Sequence, residues 1–298
     1  MKKILKWIGV VLLCLLLVMA VVTGWYFPHY LAHQQAISVP EEPVPQITVM
    51  SCNVRCLTPL DIGKKSWFYR ADKMMADIAE VAPGIIGFQE VTGWQYDYLT
   101  GCMPQYDSII TYRDNSIIAE GCPIFYHRGL YTLVDKGSFW LSETPEVMSK
   151  DWGAAHYRIC SYAILQERST EKSFVVFNTH LDHVSDEARI KGIEVVLDKI
   201  KAFGGLSAVI MGDFNAKEGS KTYESVTEHF LDARYEASVT TDSPTYQGWG
   251  EAESKRRIDY FMISKSGISV QEYSVRSAIA DGVYYSDHCP IVLKLTLE

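Results

Sequence analysis

The chain has 298 residues, 48% of them hydrophobic, a net charge of −8 and seven cysteines. That size and composition exclude a disordered or disulfide-stapled chain, since one large domain buries enough surface to fold without cross-links or structural metal. Lys2, Lys3 and Lys6 are the only charges before residue 41, so the rest carries about −11, which speaks against an enzyme built on non-specific contacts to bulk DNA.

In chain order, residues 1–6 form a basic tail. Trp7–Phe27 contains no charged residue. As a helix this run is about 31 Å long, enough to cross a hydrocarbon core of about 30 Å. Trp7 stands at one end, Trp25 and Tyr26 at the other, where interfacial aromatics belong. The lysines favour the cytoplasmic side, so the reading is a single-pass anchor in the cell membrane with everything after Phe27 outside. A cleavable signal segment, with Val18-Met19-Ala20 as its small-residue site, is the alternative and implies a secreted protein. The apolar run continues past that site, which favours the anchor; a buried core helix is the third reading. Residues 28–46 carry Pro28, Pro40, Pro43 and Pro45 and read as an extended, semi-rigid linker.

Residues 47–298 read as one domain. Ile47–Val54 is a strand, the spacing of Met74, Ile78 and Val81 predicts a helix over Arg70–Val81, and Pro83-Gly84 stops it before a buried strand at Ile85–Phe88. Pro123–Tyr126, Gly137–Leu141, Cys160–Gln166 and Phe174–Asn178 are strand-like. Asp186–Lys201 has helical spacing, and Ala208–Met211, Ile258–Ile263 and Pro290–Leu297 supply further strands. Many strands with few helices point to two packed sheets with helices outside.

Five of these apolar strands end in a polar cluster: Ser51-Cys52-Asn53, Gln89-Glu90, Asn178 to His183, Gly212 to Asn215, and Ser286-Asp287-His288. Asp259 stands at the start of a sixth. Polar residues at converging strand ends assemble sites. Carboxylates with an asparagine suit a hard divalent cation, and imidazoles suit phosphate contact and proton transfer. There is no HExxH, no Walker loop and no GxSxG elbow, and none of the cysteines forms a CxxC pair. The six cysteines beyond Cys14 permit disulfides outside the cytoplasm, with buried free thiols as the other reading.

Taken in order, Ser51–Arg55, Phe88-Gln89-Glu90, Phe177–His183, Met211–Ala216, Arg257–Ser264 and Ser286–Ile291 resemble the motifs of the endonuclease/exonuclease/phosphatase superfamily over the whole domain. Gly137–Pro145, with Glu120–Tyr126 before it, is similar to a bacterial branch of that group. The resemblance implies an α/β four-layer sandwich of two mixed sheets flanked by helices, here preceded by a transmembrane helix. It implies a Mg²⁺ cofactor, with Mn²⁺ as a substitute, bound in the environment of Glu90, Asn53 and Asp287. Asp213 would orient or deprotonate the attacking water, Asn215 would hold phosphoryl oxygens, and His288, its ring fixed by Asp259, would contact the phosphate. His180 would stabilise the phosphoryl or leaving group. Glu120, Arg158, Asp182 and His183 are substrate-side candidates, and Trp140 and Trp152 are candidates for the cleft wall. The expected activity is phosphoester hydrolysis, with a lipid or sugar phosphodiester favoured over nucleic acid and a DNA or RNA nuclease as the alternative. A non-catalytic binding module is the competing class. Nothing in the sequence calls for an obligate protein partner.

Overall fold

The computed structural model describes residues 2–38 and 46–298. Its strands are β1 Ile47–Asn53, β2 Ile85–Gln89, β3 Tyr106–Ile109, β4 Ile124–His127, β5 Tyr131–Trp140, β6 Ile159–Glu167, β7 Ser173–His180, β8 Ser207–Asp213, β9 Phe230–Asp232, β10 Val239–Thr240, β11 Asp259–Ser264, β12 Ile268–Val275, β13 Ile279–Ala280, β14 Val283–Tyr284 and β15 Ile291–Leu297. Its helices are α1 Lys2–His33, α2 Trp67–Val81, α3 Gly93–Cys102, α4 Asp186–Lys201, α5 Lys221–Thr227 and α6 Ala233–Glu236.

Two mixed sheets carry the fold. The first has seven strands in the order β10-β12-β15-β1-β2-β4-β3, and the second has six in the order β5-β6-β7-β8-β11-β9. Both sheets are covered on both faces, so their central strands are apolar on both sides. Alternation then decides which layer each side chain joins. In β1, Ile47 and Val49 face the second sheet, while Met50 and Cys52 face α2 and α3. In β8, Val209 and Met211 face the first sheet, while Ala208 and Ile210 pack under α4 and α5. Three apolar layers between four structural layers make the expected sandwich.

Local chemistry fixes the helix ends. Ser185 caps α4 by accepting from Ala188 N, with Asp186 and Glu187 in its first turn and Lys199 and Lys201 in its last. Thr92 and Gln95 form a capping box at the start of α3. Gly87 lets the sheets close: a Cβ there would lie 2.5 Å from Met211 Cε.

One expectation is corrected and one alternative is removed. The linker assigned to residues 28–46 is helical as far as His33, passing through Pro28. Tyr30 is buried against Tyr98 and Phe68, with ring centroids 4.8 and 5.3 Å apart, and Ile37 N donates to Cys102 O. That docking offsets the backbone bond a helical proline forfeits. Residues 39–45, the rest of that linker, lie outside the described residues. The disulfide reading also fails: all seven cysteines are free thiols, and Cys52, Cys102, Cys122 and Cys160 are buried. The 20-residue stretch Lys2–Val21 is long and apolar enough to cross a membrane, and none of it is buried in the protein.

Arg70, on α2, holds the segments around the site. Its fully buried guanidinium donates to the carbonyls of Val54, Arg55, Lys65 and Tyr285, tying the loop after β1 to the segment that precedes Asp287 and His288. Arg70→Met removes the donor from four carbonyls, those of Val54 and Tyr285 being buried, and we expect a loss of about 3–5 kcal/mol in urea unfolding. A loss under about 1 kcal/mol would contradict this role.

Candidate active site

The strand ends converge as the register dictates. In the second sheet, Asp213 pairs with His180 on one side and Asp259 on the other, so three functional side chains lie abreast. In the first sheet, Asn53 pairs with Gln89, and the chain turns sharply at Glu90. Glu90, Arg55 and Asn215 adopt left-handed backbone, with φ of 62°, 56° and 49°. Such strain just past a strand end re-aims a side chain into a cleft. Gly212 is obligatory: its φ is 141°, and a Cβ there would lie 1.9 Å from Thr179 O.

Beneath the site a buried polar seam joins the sheets. Gln89 Nε2 donates to Ser51 Oγ and Asn178 Oδ1, at 3.1 and 2.7 Å, and Asn178 Nδ2 donates to Phe88 O and Pro123 O. Above it, Asn53 Nδ2 donates to Glu90 Oε1 and Asp213 Oδ2, both at 3.1 Å. The Asn53 oxygen accepts from Arg55 N. Asn53 therefore orients the two carboxylates at the place where the sequence reading put the metal environment. Cys56 N donates to Glu90 Oε2. Asn215 N donates to Asp213 Oδ1, and Asn215 Nδ2 donates to Leu181 O and to His180 Nε2 at 2.9 Å.

The two histidines are electrostatically opposite. His180 is pushed well below its ordinary pKa, first by burial and then by Arg158 and His288, so its ring is neutral and Nε2 accepts from Asn215. Burial also opposes charge on His288, but Asp259, Asp213 and Asp287 outweigh it and raise the ring well above its ordinary value. Its Nδ1 lies 2.9 Å from Asp259 Oδ2, and its Nε2 3.6 Å from Asp213 Oδ2. Burial, then Asp259, raises Asp213 to about 7. For Glu90 burial is the largest influence and raises it, but the Cys56 and Asn53 N–H groups and nearby cations bring it below the usual range.

Glu90, Asp213, Asn215, Asp287, His180 and His288 line a cleft of ≈ 440 Å³. Arg55, Cys56, Arg113, His156, Tyr246, Arg256 and Ile258 share its wall, and none of these was singled out by sequence reasoning. Arg55, inside the Ser51–Arg55 motif, and Ile258, inside Arg257–Ser264, left a signal; the others sit on loops without periodic pattern.

The substrate-side candidates divide. Arg158, Glu120 and His183 line the cleft. Arg113 grips Glu120 through both guanidinium nitrogens, at 2.7 and 2.9 Å, and Glu120 is raised to about 7, chiefly by burial and then by Glu90. Arg158 Nη2 lies 3.1 Å from His183 Nδ1, and the His183 ring stacks on His156. Asp182 is withdrawn instead: its oxygens accept from the backbone N–H groups of Ala155, His156, Val184 and Ser185, which absorb its lone pairs. It shapes the loop and does not face substrate. Trp140 and Trp152 are likewise absent from the cleft wall, and Trp140 Nε1 instead donates to Arg113 O.

The sequence profile described as the endonuclease/exonuclease/phosphatase family matches residues 50–288. The chain belongs to that family. Its fold superposes on an endonuclease/exonuclease/phosphatase from Bacteroides vulgatus with a TM-score of 0.80 and 32% identity, covering 85% of this chain and 99% of the other. A mannosyl-6-phosphatase from Bacteroides thetaiotaomicron gives a TM-score of 0.78 at 30% identity, over 84% and 100% of the two chains. An uncharacterised protein of Acanthamoeba polyphaga mimivirus is 24% identical over 246 residues, 76% of this chain and 91% of its own.

Enzymes of the endonuclease/exonuclease/phosphatase family include phosphatases and nucleases and generally depend on a divalent metal. The residues here fit one. Glu90 and Asp287 both face the cleft, and Asp287 Oδ1 is buried without a hydrogen-bond partner. Burial, with Glu90 adding to it, raises Asp287. Two carboxylates with space for water match the habit of a hard divalent ion. Asp213, Asp259 and His288 also bring ligand-type atoms within 4.8 Å of one another, but the Asp259–His288 hydrogen bond already engages two of them. Glu90→Gln is expected to weaken Mg²⁺ or Mn²⁺ binding on the order of 10–100-fold in titration calorimetry, with the unfolding midpoint of the metal-free protein little changed. Unaltered binding would remove Glu90 from the metal site.

Proposed function

We propose that the domain is a divalent-metal-dependent phosphoric ester hydrolase that acts by direct attack of water, and that α1 holds it outside the cytoplasm. The observation that carries the chemistry is Asp213, flanked at 3.5 and 3.6 Å by one neutral and one cationic imidazole. Asp213 takes the proton of the attacking water, its carboxylate fixed by Asn53 and Asn215. His288, charged and braced by Asp259, neutralises a non-bridging phosphoryl oxygen as charge develops there. Asn215, whose amide donates to His180 Nε2, holds that ring beside the phosphoryl group. His180 supports the phosphoryl or leaving group from the other side. A Mg²⁺ or Mn²⁺ ion held by Glu90 and Asp287 would supply Lewis-acid stabilisation of the phosphate charge.

The substrate we favour is a phosphate ester of a sugar or a lipid head group. A net charge of −8 and a cleft of ≈ 440 Å³ suit a compact anion better than a duplex, and the likeness to a mannosyl-6-phosphatase supports the sugar. Arg55, Arg113, Arg158 and Arg256 supply cationic surface for it.

Two outcomes are expected. His288→Ala lowers kcat on the order of a hundredfold or more while leaving circular dichroism unchanged; near-normal turnover with Mg²⁺ present would remove His288 from the chemistry. On a panel of sugar phosphates, phospholipids, DNA, RNA and nucleotides, EDTA abolishes hydrolysis and added Mg²⁺ or Mn²⁺ restores it. Preferred cleavage of nucleic acid, with affinity falling steeply as salt rises, would replace our substrate assignment with a nuclease.

A further inference from the structure

We infer that the active-site cleft opens toward the membrane that α1 enters, and that the loops at its rim rest on the lipid surface. This rests on the reading of Lys2–Val21 as a membrane span, and the direction of α1 carries it. Tyr30 stacks on Tyr98, a Cβ on Gly101 would meet Gln34, and Ile37 bonds to Cys102. The last turn of α1 and the residues just past it thus meet successive residues of α3, so the chain leaving α1 runs in the direction of α3. The α3 helix begins three residues after Glu90, at the cleft edge, and descends from it. Followed back toward its N-terminus, α1 must therefore rise past the cleft edge.

Exposed apolar side chains gather at that edge. Leu60 and Ile62, 84% and 75% exposed, project from the loop after β1, beside Lys64 and Lys65. Trp94, 59% exposed, stands in the first turn of α3. Ile117 and Ile118 form the exposed tip of a loop whose base is the Arg113–Glu120 pair of the cleft wall, and which pairs with Val91 through Gly121. Scattered exposed apolar residues need no explanation, but these cluster on the loops that frame one opening. Aliphatic and indole side chains with neighbouring lysines suit the interface of a bilayer containing anionic lipid. The substrate is then presented at the lipid surface, within a headgroup's reach of Glu90 and His288.

The test uses the full chain reconstituted in phosphatidylcholine/phosphatidylglycerol vesicles. The photo-cross-linker p-benzoylphenylalanine replaces Ile62, Ile117 or, as a control far from the cleft edge, the exposed Val134. After flotation and irradiation, we expect lipid adducts at positions 62 and 117 and loss of signal to background at 134. Co-flotation without adducts at 62 and 117, or with stronger labelling at 134, would overturn the orientation while leaving the span intact. A chain that does not float defeats the span reading, and the orientation with it. Hydrolysis of p-nitrophenyl phosphate or bis-p-nitrophenyl phosphate by the same preparations reports the catalytic reading separately.

Discussion

One amide joins the chemistry of the two sheets. Asn53 lies at the end of a first-sheet strand and donates to Glu90 beside it and to Asp213 across the sheet interface. Fixing that contact requires the Gln89–Asn178 seam beneath it and the close approaches allowed by Gly87 and Gly212. A slip of one residue in either central strand would turn the apolar layers inside out and separate Glu90 from Asp213. Function and packing thus depend on the same register.

That contact brings acidic groups together in a buried place, and the surroundings answer with charge. Glu90, Asp213, Asp259 and Asp287 crowd one end of the sandwich, where burial disfavours their ionised forms. His288 answers Asp213 and Asp259 directly, and Arg55 and Arg70 lie close enough to influence Asp287. Asp287 Oδ1 is left over. A buried carboxylate oxygen without a donor is costly in a protein that satisfies its other site carboxylates so thoroughly, and a divalent cation is the simplest completion.

The sequence made the site legible where a polar residue interrupts an apolar strand at its end. Asn53, Glu90, His180, Asp213 and Asp259 all follow that rule, and the observed strands end or begin within a residue of each. Asp182 carries the same signal, yet loop backbone donors claim its oxygens. Sequence cannot separate the two cases, because the difference lies in where the following loop folds back. The arginines of the cleft wall were invisible for a related reason: Arg113 and Arg256 belong to loops brought near only by tertiary structure. The strand β12 escaped because Ser269, Gln271 and Glu272 make one face of it polar, and its sole neighbour on the outer side is the two-residue β10. The α3 helix escaped because Gly93, Thr100 and Gly101 dilute its helical pattern, while its capping box, Thr92 and Gln95, stood in plain view.

The overall acidity and the arginines of the cleft wall then express one electrostatic design. Arginines in a recess attract an anion locally, while the net negative charge of the chain disfavours a long polyanion lying across the mouth. The proposed substrate, a phosphate on a small or membrane-embedded molecule, reaches the recess alone, without dragging a charged backbone across an acidic protein. The proposed anchoring strengthens the same selection, because a domain held beside a bilayer meets its targets in two dimensions and needs little long-range steering. The fold leaves the chemistry common to many phosphate esters, and the loops at the cleft edge decide which of them arrive.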